Sequence, residues 1–91
     1  MIELTLYGRT YCHLCDDMKV ALEPLRRDFS FQLHEVDVDS DPALEARFGE
    51  LVPVLMAGAP DTPPEVAQEL CHYFVDVPAV QGWLAAQATR A

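Results

Sequence analysis

The segment Ile2-Glu3-Leu4-Thr5-Leu6-Tyr7-Gly8-Arg9-Thr10-Tyr11-Cys12-His13-Leu14-Cys15-Asp16-Asp17-Met18 contains a change of period that decides the fold. Ile2, Leu4 and Leu6 alternate with Glu3, Thr5 and Tyr7, the two-residue repeat of a β-strand, and Gly8 ends it. From Leu14 the apolar residues Leu14, Met18, Ala21, Leu22, Leu25 and Phe29 recur every three or four positions, which predicts a helix of about four turns. Pro24 lies inside that stretch and lacks the N–H that would bond the Val20 carbonyl. It predicts a kink rather than a break, because the apolar stripe runs past it.

Outward from this unit, Phe31 to Val38 reads as a second strand. Its apolar positions shift from Phe31 and Leu33 to Val36 and Val38, which predicts a bulge or an edge strand. Asp41-Pro42 supplies the N-cap and first position of a short helix with Leu44 and Phe48 on its apolar face, and Gly49 is expected as a left-handed terminator. Leu51 to Ala57 is almost wholly apolar, as in a strand buried on both faces. Pro60, Pro63 and Pro64 make Gly58 to Glu65 a stiff loop. A strand follows over Gln68 to Val75. Asp76 then caps a last helix with Pro78 in its first turn and Val77, Val80, Trp83 and Leu84 on its buried face. The order is strand, helix, strand, helix, strand, strand, helix. It predicts a parallel right-handed crossover first, an antiparallel hairpin last, and helices on both sheet faces.

A chain of 91 residues, 51% hydrophobic and 23% charged, is expected to form one soluble globular domain over residues 1–91. Fifteen acidic against six basic residues leave a net charge of −9, which excludes nucleic acid and anionic membrane surfaces as partners. No apolar run approaches the ~20 residues of a membrane span, and the Met1-Ile2-Glu3-Leu4 start lacks the pattern of a secretory signal. A cytoplasmic location is the expectation. Three cysteines are too few and odd in number for a disulfide scaffold. In a reducing compartment they are catalytic, metal-binding or simply buried.

Cys12-His13-Leu14-Cys15 falls where the strand passes into the helix. Two intervening residues in a first helical turn let both sulfurs reach disulfide distance while the first stays outside the helix. That first thiol faces unpaired backbone N–H groups and the positive end of the helix dipole, both of which favour thiolate. Cys12 is therefore the expected nucleophile, and the more buried Cys15 the resolving thiol. Protonated His13, and Arg9, would add positive charge nearby. Another reading uses the same thiols as ligands, since Cys12, His13 and Cys15 with Cys71 and His72 include enough soft donors for zinc. Adjacent Cys71 and His72 on a strand point to opposite faces, so only one of them could join such a site. Otherwise Cys71 is expected as a small buried hydrophobe, His34 and His72 as polar strand positions, and Trp83 as packing against the sheet.

These residues resemble the glutaredoxin-like branch of the thioredoxin fold, in particular small bacterial glutaredoxin-like proteins with a C-x-L-C motif. The resemblance rests on Leu4-Thr5-Leu6-Tyr7 leading to Arg9 through Cys15, on Leu51-Val52-Pro53-Val54, and on the order of elements. It implies an α/β thioredoxin-like fold with a four-stranded mixed sheet flanked by helices, and dithiol exchange through Cys12 and Cys15. It also implies a cis Val52-Pro53 bond, with Val52 and Pro53 docking the substrate beside the nucleophile. Arg9 matches the position where glutaredoxins usually carry a lysine near the thiolate and the glutathione carboxylate. Tyr11 is placed to shield the nucleophile or stack on a substrate. No bound cofactor and no metal is expected, and glutathione enters as a possible co-substrate. The expected partners are a disulfide-containing protein or small thiol, with thioredoxin or glutathione as electron donor, and the chain is expected to act as a monomer.

One departure bears on the donor. Where glutathione-binding glutaredoxins typically carry two glycines after the fourth strand, this chain reads Tyr73-Phe74-Val75-Asp76-Val77-Pro78. Bulky residues there oppose the close backbone approach that glycine allows, so glutathione-coupled activity is expected to be poor while exchange with a dithiol persists. The Cys-Pro-Tyr-Cys form is also replaced, which removes proline from the first helical position. Two readings from other classes stay open: a metal or iron-sulfur carrier on Cys12 and Cys15, and a redox-regulated interaction module without turnover.

Overall fold

The computed structural model describes residues 2–63 and 65–90, so Met1 and Pro64 of the features above lie outside the described residues. The chain runs β1 (Ile2–Gly8), α1 (His13–Leu22), β2 (Phe31–Asp37), α2 (Pro42–Phe48), β3 (Val54–Ala57), β4 (Gln68–His72) and α3 (Val77–Arg90). Short 3₁₀ helices cover Glu23–Arg27 and Val38–Ser40. The strands form one sheet in the order β2-β1-β3-β4. β1 pairs parallel with β2, from Ile2↔Phe31 to Gly8↔Asp37, and antiparallel with β3, from Leu4↔Ala57 to Tyr7↔Val54. β3 and β4 form the expected antiparallel hairpin. This is the thioredoxin-like α/β architecture, a mixed sheet between helices.

β1 is an inner strand, and both of its faces are covered. Leu4, Leu6 and Leu55 pack against Met18 and Leu22 of α1 and Val80 and Leu84 of α3. On the opposite face Tyr7, Val54 and Met56 meet Val38 and Phe48, and the Phe48 ring stacks on Tyr7 at 4.3 Å between centroids. Thr5 is consequently buried, and its hydroxyl donates to the Gly58 carbonyl at 2.8 Å, so this hydroxyl is not stranded. Asp41 and Asp76 cap their helices as expected, accepting from the N–H groups of Ala43 at 2.9 Å and Ala79 at 3.1 Å.

Several boundaries differ from the sequence reading, each for a local reason. The first helix does not continue as a kinked α-helix to Phe29. It ends at Leu22 and tightens into the 3₁₀ segment begun by Glu23-Pro24, which still buries Leu25. β2 is an edge strand in unbroken register, and the bulge lies between β3 and β4 at Leu55/Met56. Its apolar shift marks two covered faces, since Leu33 packs on the α1/α3 side and Val36 on the α2 side. Gly49 is right-handed, with φ −54°, not left-handed. Glycine is required there because a Cβ would lie 2.5 Å from the Glu45 carbonyl oxygen. The third strand starts at Val54 rather than Leu51, because the Leu51 N–H bonds Phe48 O and Pro53 has no N–H to give. β4 stops at His72 because Tyr73 turns to φ +62°. Val77 is exposed rather than part of the buried face of α3. In the loop after β3, Thr62 N–H to Ala59 O and Val66 N–H to Pro63 O form two successive turns.

Candidate active site

The registers bring three connections to one end of the sheet. Gly8 stands beside Asp37, Tyr7 beside Val54, and Val54 beside His72. The β1–α1 loop, the Val52-Pro53 segment and the β4–α3 turn therefore leave the sheet together.

Cys12 is the N-cap of α1. Its extended backbone (φ −101°, ψ 108°) lets its carbonyl accept from Asp16 N–H at 3.2 Å and its Sγ from Cys15 N–H at 3.1 Å. Cys12 and Cys15 are joined as a disulfide with Cα atoms 5.2 Å apart. Cys12 is half-buried, whereas Cys15 is 6% exposed. The outer cysteine is thus partly open at the helix N-terminus, and the inner one is buried. Gly8 forms the floor below them, since a Cβ there would come 2.9 Å from Cys15 Sγ. From the β2 side a cleft of about 250 Å³ reaches Cys15, lined by Gly8, Arg9, Lys19 and Glu35 among others.

The remaining expected residues lie on the connections at this end of the sheet. The Val52-Pro53 bond is cis, and Pro53 is buried. Leu51 N–H is taken by Phe48 O, and the Pro53 carbonyl accepts from Tyr73 N–H at 2.9 Å. Among the described residues, none of these loop hydrogen bonds uses the Val52 N–H or carbonyl. Tyr11 is 97% exposed at φ +62°, immediately before Cys12. Arg9 is a partly exposed loop charge but not a free cation. It donates to Asp39, to Glu45 Oε2 at 2.6 Å and to the Gly49 carbonyl at 2.8 Å, tying the β1–α1 loop to α2. The Glu45 hydrogen bond, with Asp39 adding to it, raises its pKa further above the ordinary guanidinium value. Lys19, paired with Glu35 at 3.0 Å and Asp16 at 3.4 Å, is likewise raised, chiefly by Glu35.

Cys71 is a free thiol buried in the α1/α3 core, and burial pushes its pKa up. His72, next to it, is exposed and meets Glu69 at 2.8 Å, while His34 meets Glu3 at 2.9 Å. Among the described residues no group of three or more His, Cys, Asp and Glu is placed to hold a metal ion. Trp83 is partly buried against the core, as expected. Among the described residues, no helix is long and apolar enough to cross a membrane.

Two residues escaped the sequence reading. Gly8 was legible only as a strand end, and nothing in its spacing reveals the sulfur above it. Tyr73 registered as a missing glycine, yet its hydroxyl donates to the Glu50 carbonyl at 2.8 Å, bridging β4 to the loop before Pro53. The available signal was that a strand must end before the Asp76 cap, leaving Tyr73 in a turn.

A β2-β1-β3-β4 sheet with a C-x-x-C disulfide capping its first helix defines a thioredoxin-fold protein of redox type. The model of the glutaredoxin-like domain family (DUF836) matches residues 3–85, and the chain belongs to that family. It is 34% identical to protein Ne2328 from Nitrosomonas europaea, with 91% of each chain covered and a TM-score of 0.77. It is 38% identical to protein XcR50 from X. campestris, covering 91% of this chain and 96% of that one, with a TM-score of 0.59. Thioredoxin 1 from Thermosipho africanus TCF52B shares the fold at 13% identity, with 94% and 98% covered and a TM-score of 0.56. No curated protein matches the chain.

Proposed function

We propose that this protein is a thiol–disulfide oxidoreductase acting by dithiol exchange. The reading rests above all on one observation: a half-exposed Cys12 caps α1 and is paired with a buried Cys15. In the reduced protein the Cys12 thiolate attacks one sulfur of a substrate disulfide, forming a mixed disulfide and expelling a thiolate that takes a proton from solvent. Cys15 then loses its proton and attacks Cys12 Sγ. The Cys12–Cys15 disulfide forms, the second substrate thiol leaves, and two electrons have passed to the substrate. Val52 and Pro53 offer the docking edge, and Tyr11 offers an exposed ring beside the nucleophile. Arg9 serves by holding the loop that carries Cys12, its charge already shared between two carboxylates.

The substrate is a disulfide-containing protein, and the electron donor a dithiol such as thioredoxin rather than glutathione. No bound cofactor or metal enters the scheme. The protein works as a cytoplasmic monomer. Steady-state exchange with dithiothreitol and with glutathione tests this, with the dithiol rate expected to dominate. Cys12→Ser should abolish exchange, and Cys15→Ser should stop at a mixed disulfide visible by mass. Exchange that survives Cys12→Ser, or a glutathione rate above the dithiol rate, would refute the mechanism or the donor respectively.

A further inference from the structure

Among the described residues two that are not glycine have positive φ, Tyr11 and Tyr73, each at 62°, and both stand at the sheet end that carries Cys12. That conformation is unfavourable for an aromatic L-residue and persists only where its surroundings hold it. For Tyr73 the holding contacts are explicit. Its N–H donates to Pro53 O at 2.9 Å, its hydroxyl donates to Glu50 O at 2.8 Å, and its ring meets His72 edge-on at 4.7 Å. The next N–H, of Phe74, turns back to His72 O at 2.7 Å, so the turn is tight on both sides. The two carbonyls that Tyr73 binds lie on either side of Val52. One residue therefore fastens the end of β4 to both flanks of the segment whose own backbone groups take no part in these bonds.

We infer that Tyr73 is a positioning residue for substrate: it fixes the Glu50–Pro53 loop so that Val52 keeps its N–H and carbonyl ready to pair with an extended peptide beside Cys12. This deepens the oxidoreductase reading and rests on it. The substrate class it selects is a disulfide carried on an extended stretch of peptide. A small disulfide with no peptide backbone has nothing to pair with Val52 and gains nothing from Tyr73.

Two probes separate these cases: hydroxyethyl disulfide, and the same hydroxyethylthio group disulfide-bonded to the cysteine of a short unstructured peptide. Dithiothreitol regenerates the reduced protein in both assays. Tyr73→Phe removes only the hydroxyl bond. Tyr73→Gly accepts φ +62° without steric cost, keeps the N–H bond to Pro53, and so guards against loss of fold. For both variants the KM for the peptide disulfide should rise about two- to tenfold, as loss of one hydrogen bond implies, with its kcat unchanged. The kcat/KM for hydroxyethyl disulfide should stay at the wild-type value. A merely structural role would lower the active fraction and reduce kcat with both probes alike. That result, or an unchanged peptide KM in both variants, would overturn the role of Tyr73. Failure of the wild-type protein to turn over either disulfide would instead remove the oxidoreductase reading, and the inference with it.

Discussion

Cys12 and Cys71 carry the same thiol in opposite surroundings. Cys12 caps a helix and reaches solvent, whereas Cys71 is 8% exposed and its pKa is raised by burial. After reduction, iodoacetamide at neutral pH should therefore label Cys12 first and Cys71 last, as peptide mapping would show. Prior labelling of Cys71 would contradict its placement in the core. Cys71 and Tyr7 also set an alkaline limit to stability. Both groups have folded pKa values above their ordinary 9.0 and 10.0, with burial the main cause in each. The unfolded chain loses these protons first as pH rises. Their contribution is complete below the ordinary values and disappears as pH climbs through the folded ones. Urea titrations should show stability falling above about pH 9, with a shallower fall in Cys71→Ala. An identical slope in the variant would assign the loss to other groups.

At the scale of elements, α3 depends on its first turn and on its buried face. Asp76→Ala leaves the Ala79 N–H without its side-chain acceptor and should cost about 1 kcal/mol, whereas Asp76→Asn should cost little. For a chain of this length that corresponds to a fall of about 4–8 °C in Tm. Leu84→Ala, at a fully buried position, should cost about 2–5 kcal/mol. Equal effects of Ala and Asn at position 76 would show that the carboxylate does more than cap.

The elements themselves were legible because their signals are local. The period change at Leu14, the Asp41-Pro42 and Asp76-Val77-Pro78 helix starts, and the Cys12 spacing each need only a few neighbouring residues. What was not legible depends on partners distant in sequence. Gly49 looks like a left-handed terminator until Glu45 fills the space where its Cβ would go. Tyr73 looks like the tail of a strand until Glu50 and Pro53 claim its hydroxyl and N–H. Arg9 shows its charge in sequence but not the Asp39 and Glu45 that share it, 30 and 36 positions away.

At the scale of the molecule the excess of acid governs behaviour in salt. The extents are 36 × 28 × 17 Å, so at ~0.01 M ionic strength, with a screening length of ~30 Å, most of the surplus carboxylates feel one another. At ~0.15 M that length is ~8 Å. The net charge of −9 then repels itself less, and the urea midpoint should rise across this range. A falling midpoint would mean that the exposed ion pairs of Arg9 and Lys19, weakened by the same salt, outweigh the repulsion.

The outer side of β2 bears on a different hazard. A seven-residue strand with one side unpaired is a template on which another chain can add, the first step towards a growing fibril. Gln32, Glu35 and Asp37 stand exposed along this one. Two such strands meeting side by side would bring carboxylates against carboxylates in a setting with few basic residues to separate them. The acidity along this strand thus acts as a gatekeeper, working against a sheet with a free margin recruiting its own kind.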